Sequence, residues 1–125
     1  MQIESGTDPS RDMCDRIHIA DTYFSRRRGN CAQAVLHAFR DCFGVSAQDI
    51  TDARRLGNGR AEHGYCGALS AALRLVDERN RDAVRDFFAA RTGAVVCRDI
   101  RRARAATCAE CVVAAAQAVS KSLSG

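Results

Sequence analysis

The chain has 125 residues, which is the length of one domain and long enough to bury one core. Hydrophobic residues make up 46% of the sequence, which excludes an intrinsically disordered chain and predicts a globular fold. The formal net charge of +4 comes almost wholly from arginine, a bias that GC-rich codons also produce, so it carries little functional weight.

The expected cellular compartment follows from the lack of signal and membrane segments, and it affects how the cysteines are interpreted. The first residues have no basic start followed by an apolar run, as a secretory signal would. No apolar stretch approaches the ~20 residues of a membrane helix. We therefore expect a cytoplasmic protein with no membrane partner, in a compartment where disulfides rarely persist. Seven cysteines, an odd number, then indicate metal ligation or thiol chemistry.

The N-terminal sequence predicts a flexible stretch at 1–8, followed by a single helical domain at 9–125. Asp8 is the expected cap of the first helix, and Pro9 is its expected first residue. Apolar residues at helical spacing then share one face, which predicts a helix ended by Gly29. These residues are Met13, Ile17, Ala20 and Phe24.

The next two predicted helices also follow capping residues. Asn30 precedes "CAQAVLHAFRDCF", which is predicted as one helix ending at Gly44. Its predicted buried stripe consists of Cys31, Val35, Ala38, Phe39 and Cys42. Ser46 and Asp49 open a short helix in an arrangement similar to a capping box.

The second half of the chain predicts three more helical segments. The glycine-rich loop "GNGRAEHGYCG" precedes a helix that starts near Cys66, and Asn80 is expected to cap the following helix. The segment "AVVCRDIRRARAA" is ambiguous between an extended piece and a short basic helix or loop. Thr107 and Glu110 then form a capping box for the last helix. With no alternation typical of a sheet, the prediction is an all-α fold, a compact bundle of about five to six helices.

Four cysteines lie at or near predicted helix starts. Cys31 and Cys108 directly follow predicted caps, Cys66 follows the glycine loop, and Cys97 precedes a predicted turn or short helix. Exposed amides and the positive end of the helix dipole favour a thiolate, so we expect lowered pKa values for these cysteines. Because thiolates bind metals and attack disulfides, the four are the candidate cofactor-binding and metal-ligating residues, converging at one end of the bundle.

The other cysteines and one histidine are weaker candidates. Cys14 and Cys42 lie in apolar helical faces away from caps, so they are predicted to pack in the core. Cys108 and Cys111 form "CAEC", the local pattern of dithiol oxidoreductases, but the βαβ context of those proteins is missing. Alternatively, Cys111 packs in the core or serves as an extra ligand. His63, in the glycine loop, is a candidate additional ligand or a proton partner for a thiol, and the simpler interpretation is an exposed loop histidine.

The basic run "CRDIRRAR" could attract phosphate, but no aromatic residues interleave with it, so nucleic acid is not expected as a partner. We interpret this run as a solvated face or as charge compensation for the thiolates. The arginines that are candidates for such compensation are Arg60, Arg98, Arg101 and Arg102.

Four stretches together resemble the C_GCAxxG_C_C family of redox-active proteins over nearly the whole chain: "NCAQAVLHAF", "GYCGALSAAL", "CRDI" and "CAECVVAAA". The family's four defining cysteines fall at Cys31, Cys66, Cys97 and Cys108. Its CGAxxG core reads "CGALSA" here, so Ala71 stands where the family has glycine. The pattern is also similar, more weakly, to the non-haem region of split-Soret cytochromes, in which such cysteines are associated with an iron–sulfur cluster.

These features favour a non-enzymatic redox module in which the four cysteines bind an iron–sulfur cluster, most simply [2Fe–2S], and pass electrons to a partner protein. One alternative is a thiol–disulfide protein that uses Cys108 and Cys111 or another cysteine pair. Others are a structural zinc site with four thiolate ligands in a helical interaction protein, or packing alone. Covalent haem is not expected because Val112 follows Cys111 in place of histidine, and a homodimer is the default for an oligomer.

Overall fold

The computed structural model describes residues 9–57 and 60–124, with side chains described for 14–57 and 60–123. Within these residues the chain forms eight α-helices, so the all-α prediction is confirmed with more helices than the five or six expected. The helices are α1 (Pro9–Ser25), α2 (Cys31–Ala38), α3 (Arg40–Phe43), α4 (Ala47–Asp52), α5 (Gly67–Leu75), α6 (Arg81–Thr92), α7 (Cys97–Ala103) and α8 (Cys108–Ser124). Three 3₁₀ turns lie at Ala53–Leu56, Glu62–Gly64 and Glu78–Asn80.

The additional helices arise at two places. Phe39 interrupts the helix predicted over 31–43, because its φ of −113° and ψ of 16° depart from helical values, and α3 follows the break. The side chain of Phe39 is fully buried at this junction. The ambiguous segment after Gly93 forms α7, which ends at Arg104 in the left-handed conformation.

Capping interactions fix three helix starts, as predicted. The reciprocal side-chain and backbone hydrogen bonds of a capping box join Asn30 to Gln33, Ser46 to Asp49 and Thr107 to Glu110. Asn80 precedes α6 but makes no side-chain capping hydrogen bond, so that detail of the prediction was wrong. Helix α1 begins at Pro9, whereas Asp8, the predicted flexible stretch 1–8 and the Met13 side chain lie outside the described residues.

Helix α8 lies at the centre of the bundle and packs against α1, α2, α5 and α6. Its inner face consists largely of alanines that are at most 3% exposed: Ala114, Ala115, Ala116 and Ala118. Small side chains let neighbouring helices approach α8 closely, and larger side chains from those helices and from the junction of α2 with α3 complete the core. The largest of these, all fully buried, include Leu36, Phe39, Leu69 and Phe88. No helix in the described part of the chain has both the length and the apolar character needed to cross a membrane.

Candidate functional site

The start of α2 is tied to the segment before the glycine loop. Asn30 accepts a hydrogen bond from the Gln33 amide and donates from Nδ2 to the carbonyl oxygens of Ala53 (3.2 Å) and Arg54 (2.9 Å). Gln33 Nε2 donates to the carbonyl oxygen of Ile50 at 2.9 Å. These bonds hold Cys31, the first residue of α2, in a fixed and buried position.

A short antiparallel contact places Cys66 beside the start of α7. Tyr65 and Val96 form an isolated β-bridge, and the Cys66 amide donates to the carbonyl oxygen of Val95 at 2.9 Å. Cys66 is the N-cap residue of α5, and Cys97 is the first residue of α7. Backbone pairing therefore fixes the start of α5 against the start of α7, two segments that are distant in the sequence.

Gly67 allows Cys31 to reach the first turn of α5. A Cβ built on Gly67 would lie 2.9 Å from Cys31 Sγ and 2.8 Å from the carbonyl oxygen of Leu56, both closer than real Cβ atoms approach. Because glycine has no side chain, the sulfur occupies this space. At position 71, where the family core has its second glycine, this chain has alanine, and the Ala71 side chain is fully buried.

Helix α8 contributes two thiols, one turn apart. Cys108 is its first residue and is exposed, and Arg101 Nη2 lies 3.9 Å from Cys108 Sγ. Cys111 is buried and accepts a hydrogen bond from the thiol of Cys66. The residues at positions 108 and 111 thus face the other thiols from the central helix.

Together these contacts gather five sulfurs, here called the thiol cluster: Cys31, Cys66, Cys97, Cys108 and Cys111. The Cys31 thiol donates to Cys66, and the Cys66 thiol donates to Cys111. Cys97 and Cys108 are close enough to interact electrostatically with this chain of thiols. The four predicted cysteines therefore lie together with Cys111, which sequence reasoning left open. The signal for Cys111 was its spacing from Cys108, which places both on one face of α8.

The expectation of lowered pKa values was wrong for Cys31, Cys66 and Cys97. The pKa of Cys31 is raised because its thiol donates to Cys66 and is buried. The pKa of Cys66 is raised to about 12 because its thiol donates to Cys111, with burial adding to the effect. Burial raises the pKa of Cys97, against the opposing charge of Arg101. The pKa of Cys111 is lowered because it accepts from Cys66.

The physical reason is that the helix starts converge and bury these thiols, and burial opposes the lowering of the pKa by the helix amides. The Ala68 amide donates to Cys31 and lowers its pKa, and the Leu69 amide has the same effect on Cys66 without forming a capping hydrogen bond. Desolvation and neighbouring thiols outweigh these amides. Cys31 and Cys66 therefore hold their protons more strongly than a free cysteine does.

Among the four arginines proposed for charge compensation, Arg101 lies against the thiol cluster. Its pKa is raised by its hydrogen bond with Cys108 and by the charges of Cys97 and Cys108. All four arginines are exposed, so what distinguishes Arg101 is its contact with Cys108. Of these four arginines, Arg101 is therefore the one placed to compensate the charge of thiolates.

The predicted packing roles of Cys14 and Cys42 were wrong, because both residues are exposed. The break at Phe39 turns α3 away from the buried stripe of α2, so Cys42 does not continue that stripe. Cys14 lies on α1 at a position that no described element covers. His63 is also exposed, with Glu62 and Tyr65 as its neighbours, which agrees with the simpler interpretation of an exposed loop histidine.

Across residues 9–57 and 60–124, no group of three or more histidine, cysteine, aspartate or glutamate side chains is arranged to hold a metal ion. The thiol cluster, as these residues stand, is thus a gathering of donors and not a preformed cage for one ion. Any metal or cluster would have to draw the sulfurs into its own coordination geometry.

Comparison with known protein families gives a match over most of the chain. A family model described as "Putative redox-active protein (C_GCAxxG_C_C)" matches residues 29–122, a span that contains all five members of the thiol cluster. No curated protein and no solved structure matches the chain.

Proposed function

The chain belongs to the C_GCAxxG_C_C family of redox-active proteins, and on that premise we propose that its thiol cluster binds an iron–sulfur cluster, most simply [2Fe–2S], for electron transfer. The proposed ligands are Cys31, Cys66, Cys97 and Cys108. The observation that carries the proposal is the gathering of these four thiols, from the starts of four separate helices, at one end of the bundle. When bound, such a cluster supplies one-electron redox chemistry.

The donor chemistry fits this group. Every donor is a thiol, which is the ligand type that iron–sulfur clusters use. Amides of α5 point at the sulfurs of Cys31 and Cys66, and the Arg101 guanidinium lies beside Cys108. Amides and a cation of this kind offset the negative charge of four thiolates and tune a cluster's potential. Because the pKa values of Cys31, Cys66 and Cys97 are raised and a metal binds thiolates, loading releases protons from these residues and is favoured at higher pH.

Burial favours a ligand role over thiol exchange for the inner cysteines. Cys31 is 9% exposed, Cys66 is 6% exposed and Cys111 is 3% exposed. Exchange requires that a disulfide reach the attacking sulfur, whereas a ligand can be fully enclosed. The inner thiols are thus better suited to hold a cofactor than to attack a protein substrate.

A second candidate function is a reversible disulfide within the thiol cluster. The interaction of Cys66 with Cys111 favours it, since that interaction lowers the pKa of Cys111. In this case the protein would cycle between dithiol and disulfide without a metal. For either function we propose a cytoplasmic location and a redox partner protein.

The test is anaerobic purification, followed by a visible spectrum and analysis of metal and acid-labile sulfide. The iron–sulfur proposal predicts a coloured protein with iron and sulfide in equal amounts. Colourless protein with stoichiometric zinc would overturn it in favour of a structural zinc site. Colourless, metal-free protein that also fails reconstitution with ferrous iron and sulfide, yet carries a reducible Cys66–Cys111 disulfide, would support the second candidate.

A further inference from the structure

A cavity of about 440 Å³ opens beside the thiol cluster, between the end of α1 and the starts of α2 and α8. Its lining includes three arginines and two of the clustered cysteines: Arg27, Arg28, Arg54, Cys31 and Cys108. The volume is in the range of small-molecule sites. The cavity thus places a group of positive charges beside cysteine sulfurs. The proposed iron–sulfur cluster does not require this combination.

The positive charge at this cavity is available to an incoming anion. Within the residues that the structure describes, no carboxylate forms an ion pair with Arg27, Arg28 or Arg54. Guanidinium groups bind carboxylates through paired hydrogen bonds. Three of them around one opening also raise the local concentration of anions and speed their association.

The two cysteines of the cavity differ in access. Cys31 is buried, whereas Cys108 is exposed, so a molecule entering from solvent reaches the sulfur of Cys108 first. Arg101 Nη2 lies 3.9 Å from that sulfur and adds a further positive charge beside it. Cys108 is therefore the member of the thiol cluster best placed to react with a small disulfide.

We propose that this cavity binds low-molecular-weight disulfides that carry carboxylates, and that Cys108 undergoes thiol–disulfide exchange with them. The Cys108 thiol gives its proton to solvent, and the thiolate attacks one sulfur of the disulfide. A bond forms between Cys108 Sγ and that sulfur, the disulfide's own S–S bond breaks, and the leaving thiolate takes a proton from solvent. Cys108 is oxidised to a mixed disulfide, and the released half of the small molecule is reduced to a thiol.

This exchange does not depend on the iron–sulfur proposal, because it needs only the reduced, metal-free chain. It does have a consequence for that proposal. A Cys108 sulfur held in a mixed disulfide cannot also be a thiolate ligand, so modification and cluster loading compete for the same residue.

The experiment uses the full chain, reduced and metal-free, with Cys14→Ser and Cys42→Ser to remove the exposed thiols outside the thiol cluster. The probes are glutathione disulfide, which is anionic, and bis(2-hydroxyethyl) disulfide, which is neutral. Intact mass and peptide mapping follow adduct formation over time. We expect the glutathione adduct at Cys108, and its loss in Cys108→Ser.

The arginines are tested by the triple variant Arg27→Gln, Arg28→Gln, Arg54→Gln. We expect exchange with glutathione disulfide to slow about tenfold, with little change for the neutral disulfide. The control triple variant Arg79→Gln, Arg98→Gln, Arg102→Gln removes the same charge outside the cavity. Equal slowing in both triple variants, or an adduct that avoids Cys108, would overturn the proposal. Loading the cavity variant with iron and sulfide separately reports on the iron–sulfur proposal.

Discussion

The Cβ that Gly67 lacks would lie 2.9 Å from the Sγ of Cys31. This spacing links the backbone at the start of α5 to a thiol at the start of α2, and it explains why a glycine directly follows Cys66. The contact is short enough that an added methyl group must move either the sulfur or the carbonyl of Leu56, which is at 2.8 Å. The position of Cys31 in the thiol cluster therefore depends on the absence of a side chain at residue 67.

Gly67→Ala is expected to displace Cys31 and to lower the free energy of unfolding by about 1–3 kcal/mol, the cost of overpacking a core site. Urea unfolding measures the loss, and alkylation followed by mass spectrometry measures the exposure of Cys31. Gly44→Ala is the matched control, because its φ is 65° but a Cβ there meets no atom within 4 Å. It should cost about 1–2 kcal/mol through backbone strain alone and leave Cys31 protected. Equal protection of Cys31 in both variants would contradict the proposed role of Gly67.

Arg101→Gln is expected to slow alkylation of Cys108 at neutral pH by about fivefold, which corresponds to ~1 kcal/mol for a charge about 4 Å away in a wet environment. The reason is the Coulomb attraction between the guanidinium and the attacking sulfur, whose atoms lie 3.9 Å apart. Iodoacetamide labelling with peptide mapping gives the rate. Arg102→Gln, which removes the neighbouring exposed charge on α7, should leave the rate nearly unchanged. A similar effect of both variants would mean that general charge, and not this contact, governs Cys108.

The ion pair between Arg16 and Asp41 is expected to make stability fall at acid pH. Arg16 Nη1 lies 2.6 Å from Asp41 Oδ1, and its hydrogen bonds lower the pKa of that carboxyl from 3.8 to about 2. A lowered pKa in the folded state stabilises the fold above pH ~3.8, and this contribution is lost as the pH falls towards 2. Because Asp41 is exposed, we expect only about 0.5–1 kcal/mol.

Urea unfolding of wild type and Asp41→Asn between pH 5 and pH 2 measures this contribution, in a range set by the two pKa values. The difference between the two proteins should shrink as the pH falls. Asp77→Asn, at an exposed residue 3.9 Å from Arg79, is the control and should show little difference at any pH. A constant gap between wild type and Asp41→Asn would contradict the assignment.

Ser120→Ala is expected to stabilise the fold by about 1 kcal/mol, because an unpaired hydroxyl is costly to bury. Ser120 is 4% exposed on α8, and its Oγ has no hydrogen-bond partner within the described structure. Ser122→Ala on the same helix is the control, since Ser122 Oγ donates to the carbonyl oxygen of Val119 at 2.6 Å. Thermal or urea unfolding should show a gain only for Ser120→Ala, and a loss in that variant would indicate that the hydroxyl has a partner in solution.

The helix starts that carry the cysteines could be predicted because capping is local. Asn30 and Thr107 cap α2 and α8 through side-chain hydrogen bonds made within one turn. The sequence therefore predicted correctly that Cys31 and Cys108 begin these helices. The same is not true of α7, whose start at Cys97 has no side-chain capping hydrogen bond. Its position depends on backbone pairing with the segment around Cys66, a contact between distant parts of the chain.

The chemistry of the thiols could not be predicted from helix starts alone. A cap position argues for a lowered pKa, but the pKa also depends on what surrounds the sulfur after folding. Cys31 and Cys66 are buried against each other and against Cys111, and none of these contacts is local in sequence. The break at Phe39 has the same origin, since nothing in the helical period of α2 marks it, and it determines that Cys42 is exposed.

The most direct test of the central claim is the iron and acid-labile sulfide content of Cys66→Ser after anaerobic reconstitution, compared with Cys14→Ser. Cys66 lies at the middle of the hydrogen-bonded thiols, whereas Cys14 is exposed on α1. The account predicts that Cys14→Ser binds iron and sulfide as wild type does, and that Cys66→Ser loses both while circular dichroism shows it still folded. Full retention of iron and sulfide by folded Cys66→Ser would contradict the assignment of the thiol cluster as the cofactor site.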